Sequence, residues 1–136
     1  IIENLCFEIT ESVVLDENII IHYNLLLLNQ KGIKIALDDF GTGYASFSYL
    51  KKFKLDILKI DRILIDNEFN VDFKIVNSIK NIAHILNMET VIEGVETESQ
   101  FMKLSNIGCD YFQGYYFSAP LPANEVIDYL NSANKE

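Results

Sequence analysis

Between Ile33 and Asp61 the chain reads IKIALDDFGTGYASFSYLKKFKLDILKID. Ile33–Asp38 is an apolar run of strand length, and Asp56–Asp61 is a second one that also ends in an acid. Ala45–Lys52 lies between them as a short helical segment, behind the glycine-bearing turn Gly41-Thr42-Gly43. Strand, helix and strand in so short a span mark a βα repeat and a parallel sheet.

The same alternation continues in both directions. Upstream, Leu5–Ile9 reads as a strand. Glu17–Lys31 reads as a helix, with Ile19, Tyr23 and Leu26 as its apolar stripe and Gly32 at the left-handed position that ends it. Downstream, Asp72–Asn87 reads as a helix striped by Ile75, Ile79, Ile82 and Leu86, and Thr90–Glu93 as the fourth strand. Thr97 and Gln100 form the two halves of a capping box. Cys109–Gln113 reads as strand five and Tyr115–Phe117 as a short sixth, before Pro122 opens a last helix near 122–132. No repeat, linker or low-complexity segment stands out, so the chain is one domain or one piece of one. Its start at Ile1, already strand-like and not at a methionine, reads as a cut through a larger domain.

The 136 residues are 49% hydrophobic and 23% charged, the balance of an ordinary globular protein with a real core. Eleven basic against twenty acidic side chains, a net charge of −9, argue against a DNA or RNA partner. No signal peptide precedes the first element. The most apolar stretch, Ile19–Leu28, contains His22 and Asn24 and falls short of the ~20 residues that span a bilayer. The expectation is a soluble, cytoplasmic chain without membrane contact. Cys6 and Cys109 fit neither a metal-knuckle nor a disulfide spacing and read as small apolar filler in a reducing compartment.

The polar residues fall in a pattern. Glu8, Asp38, Lys59, Glu93 and Gln113 each stand at the carboxyl end of a strand. Strand side chains alternate faces, so Cys6, Ala36, Ile57, Val91 and Tyr111 share their face one step below. Phe7, Leu37, Leu58, Ile92 and Phe112 occupy the other face, suited to covering helices, as a sheet buried on both sides requires. Five polar groups in register at one mouth are the arrangement of a TIM-type active site. Glu8, Asp38, Asp39 and Glu93 together are unstable as ionised carboxylates unless protons or cations join them. Such hard oxygen donors favour Mg²⁺ or Mn²⁺, one ion or two. Lys59 supplies a point charge for a phosphoryl oxygen or an attacking water.

Other candidates carry less. The Gly-Thr-Gly turn lacks the spacing of a phosphate loop and lets the chain turn tightly. His22 and His84 read as structural, and no serine or cysteine has the partners of a nucleophile. Tyr115 and Tyr116 suit core packing or the stacking of a base.

At these residues the chain resembles the EAL family of cyclic di-GMP phosphodiesterases. FEITES (7–12), DDFGTGY (38–44), LKID (58–61), EGVE (93–96) and QGY (113–115) run in the family's order over nearly the whole chain. The resemblance implies an α/β fold, a partial TIM-type (β/α) barrel from about the third strand to the C-terminus. Residues 1–136 would be the C-terminal portion of a single EAL domain. It implies that Glu8 and Asp38 are metal ligands, that Asp39 binds a second metal, and that Lys59 contacts the water and phosphate. Glu93 matches a general base or metal-site member, Glu96 the glutamate that anchors the DDFGTG loop, and Gln113 a glutamine near the water of the metal site.

The implied activity is single cleavage of cyclic di-GMP to the linear dinucleotide with Mg²⁺ or Mn²⁺. The implied assembly is a homodimer that links the DDFGTG loop to the site, accompanied by sensory or GGDEF-type domains. Ala45, Phe47 and Ile92 depart from the usual pattern without removing a functional group. The Glu-Ala-Leu signature itself, a neighbouring substrate-holding arginine and a metal-binding asparagine would lie upstream of Ile1. Three readings stay open: an enzyme fragment that is weak or inactive alone, a non-catalytic cyclic di-GMP-binding or regulatory module, and an assembly fragment. Retention of Asp38, Asp39, Lys59, Glu93 and Glu96 favours the first.

Overall fold

Five strands pair in sequence order, each parallel to the next: β1 (Cys6–Thr10), β2 (Lys34–Phe40), β3 (Ile57–Ile60), β4 (Glu89–Ile92) and β5 (Tyr111–Phe112). The computed structural model describes residues 5–41, 50–65 and 73–133. Helices α1 (Glu11–Leu15) and α2 (Ile19–Gln30) join β1 to β2. A 3₁₀ turn (Arg62–Leu64) and α3 (Phe73–Ile85) follow β3, α4 (Glu98–Ser105) follows β4, and α5 (Ala123–Ala133) follows β5. The helix expected over 45–52 falls mainly on residues 42–49, outside the described residues. No described helix is long and apolar enough to cross a membrane.

The helix-covered face of the sheet is the core. Ile35, Leu37, Leu58, Ile60 and Ile92 are fully buried there with Val14, Val76, Ala83 and Leu104, and Leu25 is nearly so. Each valine, leucine or isoleucine among them stabilises the fold by about 1.5–3 kcal/mol relative to exposure. The opposite face is more open. Ala36 is buried, Ile57 and Val91 are half-buried, and Cys6 and Tyr111 are exposed. A polar layer crosses its lower end, where Lys34 pairs with Glu89 at 2.6 Å and Glu89 accepts from the Tyr111 hydroxyl at 3.1 Å.

Local signals behaved as their chemistry predicts. Gly32 has φ +77° at the end of α2, and Thr97 and Gln100 exchange both bonds of the capping box. The helix faces differ from expectation. On α2, Ile19, Tyr23 and Leu26 point outward, while Leu25 is buried and Ile21 and Leu28 pack on the core. This helix is apolar almost all round, so the sheet and not the sequence period chooses its buried side. On α3 the buried residues are Val76, Ile79 and Ala83, and Ile75 is turned outward.

Strand five is shorter than expected, and Tyr115–Phe117 is a hydrogen-bonded turn instead of a sixth strand. Tyr116 N–H donates to Val95 O and Phe117 N–H to Gly114 O. Gly114 lies so close to the Val95 backbone that a Cβ there would collide with it. Tyr116 stacks on Phe101 at 5.5 Å and Phe117 meets that ring edge-on, so this part of the aromatic run is packing.

Candidate active site

The site begins with a break in strand β2. Successive residues of a regular strand face opposite ways, so Asp38 and Asp39 would be divided between core and mouth. The β2–β3 register shifts between Leu37 and Phe40, and Asp39 takes φ +57°. Aspartate tolerates this left-handed conformation better than most residues, and bulges of this kind commonly re-aim side chains at sites. Both carboxylates thereby reach the mouth. With Glu93, at the end of β4, they form a trio whose oxygens lie within 4.8 Å of one another.

Lys59 projects from β3 into the middle of the mouth with only 5% of its surface exposed. Its Nζ stands 3.0 Å from Glu8 Oε1, 2.9 Å from Asp38 Oδ1 and 2.9 Å from Glu93 Oε1. Burial by itself would pull the ammonium's pKa down. The carboxylates of Asp38, Glu93 and Glu8 outweigh it and hold the pKa well above the ordinary lysine range. Glu93 is pushed up by desolvation and by the charges of Asp38 and Glu8, against the pull of Lys59. Desolvation, Asp38 and Asp61 likewise push Asp39 up.

The five strand-end residues gather at one mouth, but not in one row. Glu8 pairs with Ala36 one step below Asp38, and Lys59 pairs with Val91 one step below Glu93. This stagger is the shear of a closing sheet. Glu8 stands outside the trio of oxygens, held on Lys59 and half exposed. Gln113 lines a cleft of about 280 Å³ beside Glu93, together with Asp61, Arg62, Glu96 and Tyr115.

Glu96 is expected to anchor the DDFGTG turn, of which residues 42 and 43 lie outside the described residues. Its carboxylate lies 3.8 Å from Arg62 Nη1, across the base of that cleft. Glu11, a buried acid at the start of α1, reaches the described part of this turn and accepts from Gly41 N–H at 3.1 Å. Gly41 has φ +111°, and a Cβ there would meet Leu64 at 2.6 Å, so the turn is also pinned from β3's side. In the sequence Glu11 is only one letter of FEITES, and its burial is what distinguishes it. Glu11→Ala is expected to lower stability by about 1.5–3 kcal/mol, the scale of a hydrogen bond to a charged acceptor. Glu11→Gln, which still accepts, should cost less. Thermal melts read both, and equal stability of all three proteins would mean that Gly41 holds its turn unaided.

The donor set suits a divalent cation. Three hard carboxylate oxygens converge. Asp38 Oδ1 is buried and accepts no well-directed hydrogen bond among the described residues, its ion pair with Lys59 aside.

The profile of the EAL domain matches residues 1–120. A cyclic di-GMP phosphodiesterase of Borreliella burgdorferi, PdeA, is 41% identical over 123 residues, 89% of this chain and 18% of its own length. The EAL domain of Mycobacterium smegmatis DcpA superposes with a TM-score of 0.84 at 38% identity, over 93% of this chain and 58% of that one. Klebsiella pneumoniae BlrP1, solved with manganese and cyclic di-GMP, superposes at 0.79 with 33% identity, over 88% of this chain and 31% of that one. The chain thus spans less than a fifth of the curated relative and somewhat over half of the DcpA domain.

Proposed function

The chain belongs to the EAL domain family, its sheet part of a TIM-type barrel, and on that premise we propose that the protein carrying it hydrolyses cyclic di-GMP to the linear dinucleotide. Residues 1–136 are then the C-terminal portion of a single EAL domain. The observation that carries the reading is the mouth itself, where one buried ammonium and a trio of carboxylate oxygens converge. A purely dinucleotide-sensing module has no use for that trio.

Asp38, Asp39 and Glu93 would hold Mg²⁺ or Mn²⁺, with Glu8 within the same cluster. The ion supplies charge neutralisation at the phosphodiester and lowers the pKa of a water. The chain's own groups do the rest. Lys59, fixed by three carboxylates, offers a positive charge that needs no reorganisation when negative charge builds on the phosphoryl oxygens. Glu93, whose pKa lies above the usual glutamate range, would take the proton of the attacking water. Arg62 and Tyr115 line the adjoining cleft, which is wide enough for part of the dinucleotide. In the same reading the protein is a cytoplasmic homodimer joined to sensory or GGDEF-type domains.

Incubating the full-length protein with cyclic di-GMP and Mg²⁺ or Mn²⁺ tests the activity. Linear dinucleotide as product supports it, and tight binding without turnover selects the receptor reading instead. The 136-residue chain by itself contains no Glu-Ala-Leu tripeptide. It is expected to turn over at least ~100-fold more slowly than the full protein, since even outer-shell partners of a metal site are worth 10–100-fold. It should also self-associate in light scattering, because β1 and β5 present unpaired strand edges among the described residues. Cleavage at the full-length rate by a clean monomer would sink this expectation.

A further inference from the structure

The geometry points to Asp110 as a positioning residue: through Thr90 it sets the register of β5 on β4 and so keeps Gln113 beside Glu93 at the mouth. The ladder between these strands is only two residues long, Val91 to Tyr111 and Ile92 to Phe112. So short an edge pairing is weak by itself. Its two rings specify the register only in part: a slip by one residue would put one ring in the other's place and leave Gln113 or Asp110 where the second ring stood. The same slip would turn Gln113 from the mouth to the core side.

The backbone bonds beyond, Gln113 N–H to Ile92 O and Val95 N–H to Gln113 O, would re-form with the next residue of a slipped strand. The bonds at Asp110 would not. Asp110 Oδ2 accepts from Thr90 N at 2.7 Å, from Thr90 Oγ1 at 2.8 Å and from His84 Nε2 at 2.9 Å. Asp110 N–H donates back to Thr90 Oγ1 at 3.3 Å, closing a ring across the two strands. Thr90 is fully buried in this ring. Burial alone would raise the Asp110 pKa, but the bonds from His84 and Thr90 hold it below the ordinary aspartate range, so these are charge-assisted bonds. Gly114 on the Val95 backbone marks the upper end of the same alignment.

The consequence for turnover rests on the phosphodiesterase reading; the register does not. In the full-length protein, Thr90→Val keeps the shape and removes the hydroxyl, whereas Thr90→Ser keeps the hydroxyl. Asp110→Ala removes the acceptor. Amide hydrogen exchange over 109–117 should quicken about tenfold in Thr90→Val and Asp110→Ala, the scale of one or two lost hydrogen bonds, and stay near wild type in Thr90→Ser. Cyclic di-GMP turnover should fall about 10–100-fold in the first two and recover in the third. Wild-type exchange in Thr90→Val overturns the proposal. So does equal damage by Thr90→Ser, which would make packing and not the hydroxyl the cause. If Asp110→Ala does not fold, the two threonine variants decide. If the wild-type protein has no turnover, the functional reading fails and the exchange comparison still judges the register.

Discussion

Glu93→Gln, or Asp38→Asn, should abolish cyclic di-GMP hydrolysis by the full-length protein while leaving it folded. Each substitution keeps the shape of the side chain and an oxygen facing Lys59, so the 2.9 Å contacts lose their charge but not their packing. What each removes is one negative charge from the trio Asp38, Asp39 and Glu93. The cation is then bound by fewer anionic oxygens, and an amide in place of the Glu93 carboxylate cannot accept a proton from water. Loss of a general base alone costs about 10²–10⁴-fold, and loss of charge at the metal site adds to it. The measurements are turnover with saturating Mn²⁺, a melting curve and Mn²⁺ affinity. Reduced affinity with an unchanged melt is the expected pattern. Either variant turning over at near wild-type rate would remove that residue from the catalytic set.

Lys59→Met is expected to be the most destabilising single change at the mouth. It leaves Glu8, Asp38 and Glu93 facing one another without their shared cation. Breaking a buried ion pair costs about 3–5 kcal/mol. The lower end, about 3 kcal/mol, applies here because Glu8 is half exposed and keeps its hydration. For a chain of this size that is a fall of roughly 10 °C in melting midpoint.

The sign of the pH dependence follows from the shifts. The Lys59 pKa is raised by folding, so its contribution is complete below the unfolded lysine value and is lost only as pH climbs through the folded value. Glu93 is also raised, so its protonated form favours the fold, and that contribution is lost as pH rises through its folded value. The deficit of Lys59→Met should therefore be largest at neutral pH and shrink as acid protonates the stranded carboxylates. Mg²⁺ or Mn²⁺ should raise the melting point of the variant more than that of wild type. A variant that melts with wild type at every pH would show that Lys59 does not balance this charge.

The sequence by itself determined the repeat and which polar residues stand at the strand ends. Apolar runs of strand length, each closed by a polar residue, depend only on local alternation. DDFGTGY, LKID, EGVE and QGY stand at strand ends whichever way the helices pack. Capping residues such as Gly32, Thr97 and Gln100 were legible for the same reason, since their partners lie within a few residues.

Tertiary structure decided what depends on neighbours distant in sequence. The buried side of α2 was settled by the sheet, because four consecutive leucines at 25–28 mark no single face. Tyr115–Phe117 became a turn because Phe101 and the Val95 backbone claim it. Glu11 acquired its role from Gly41, thirty residues away in the chain. The two aspartates reach one mouth only because pairing with β3 accommodates a bulge at Asp39. Alternation along β2 predicts opposite faces for them, and the register that overrides it is set by a strand that begins at Ile57.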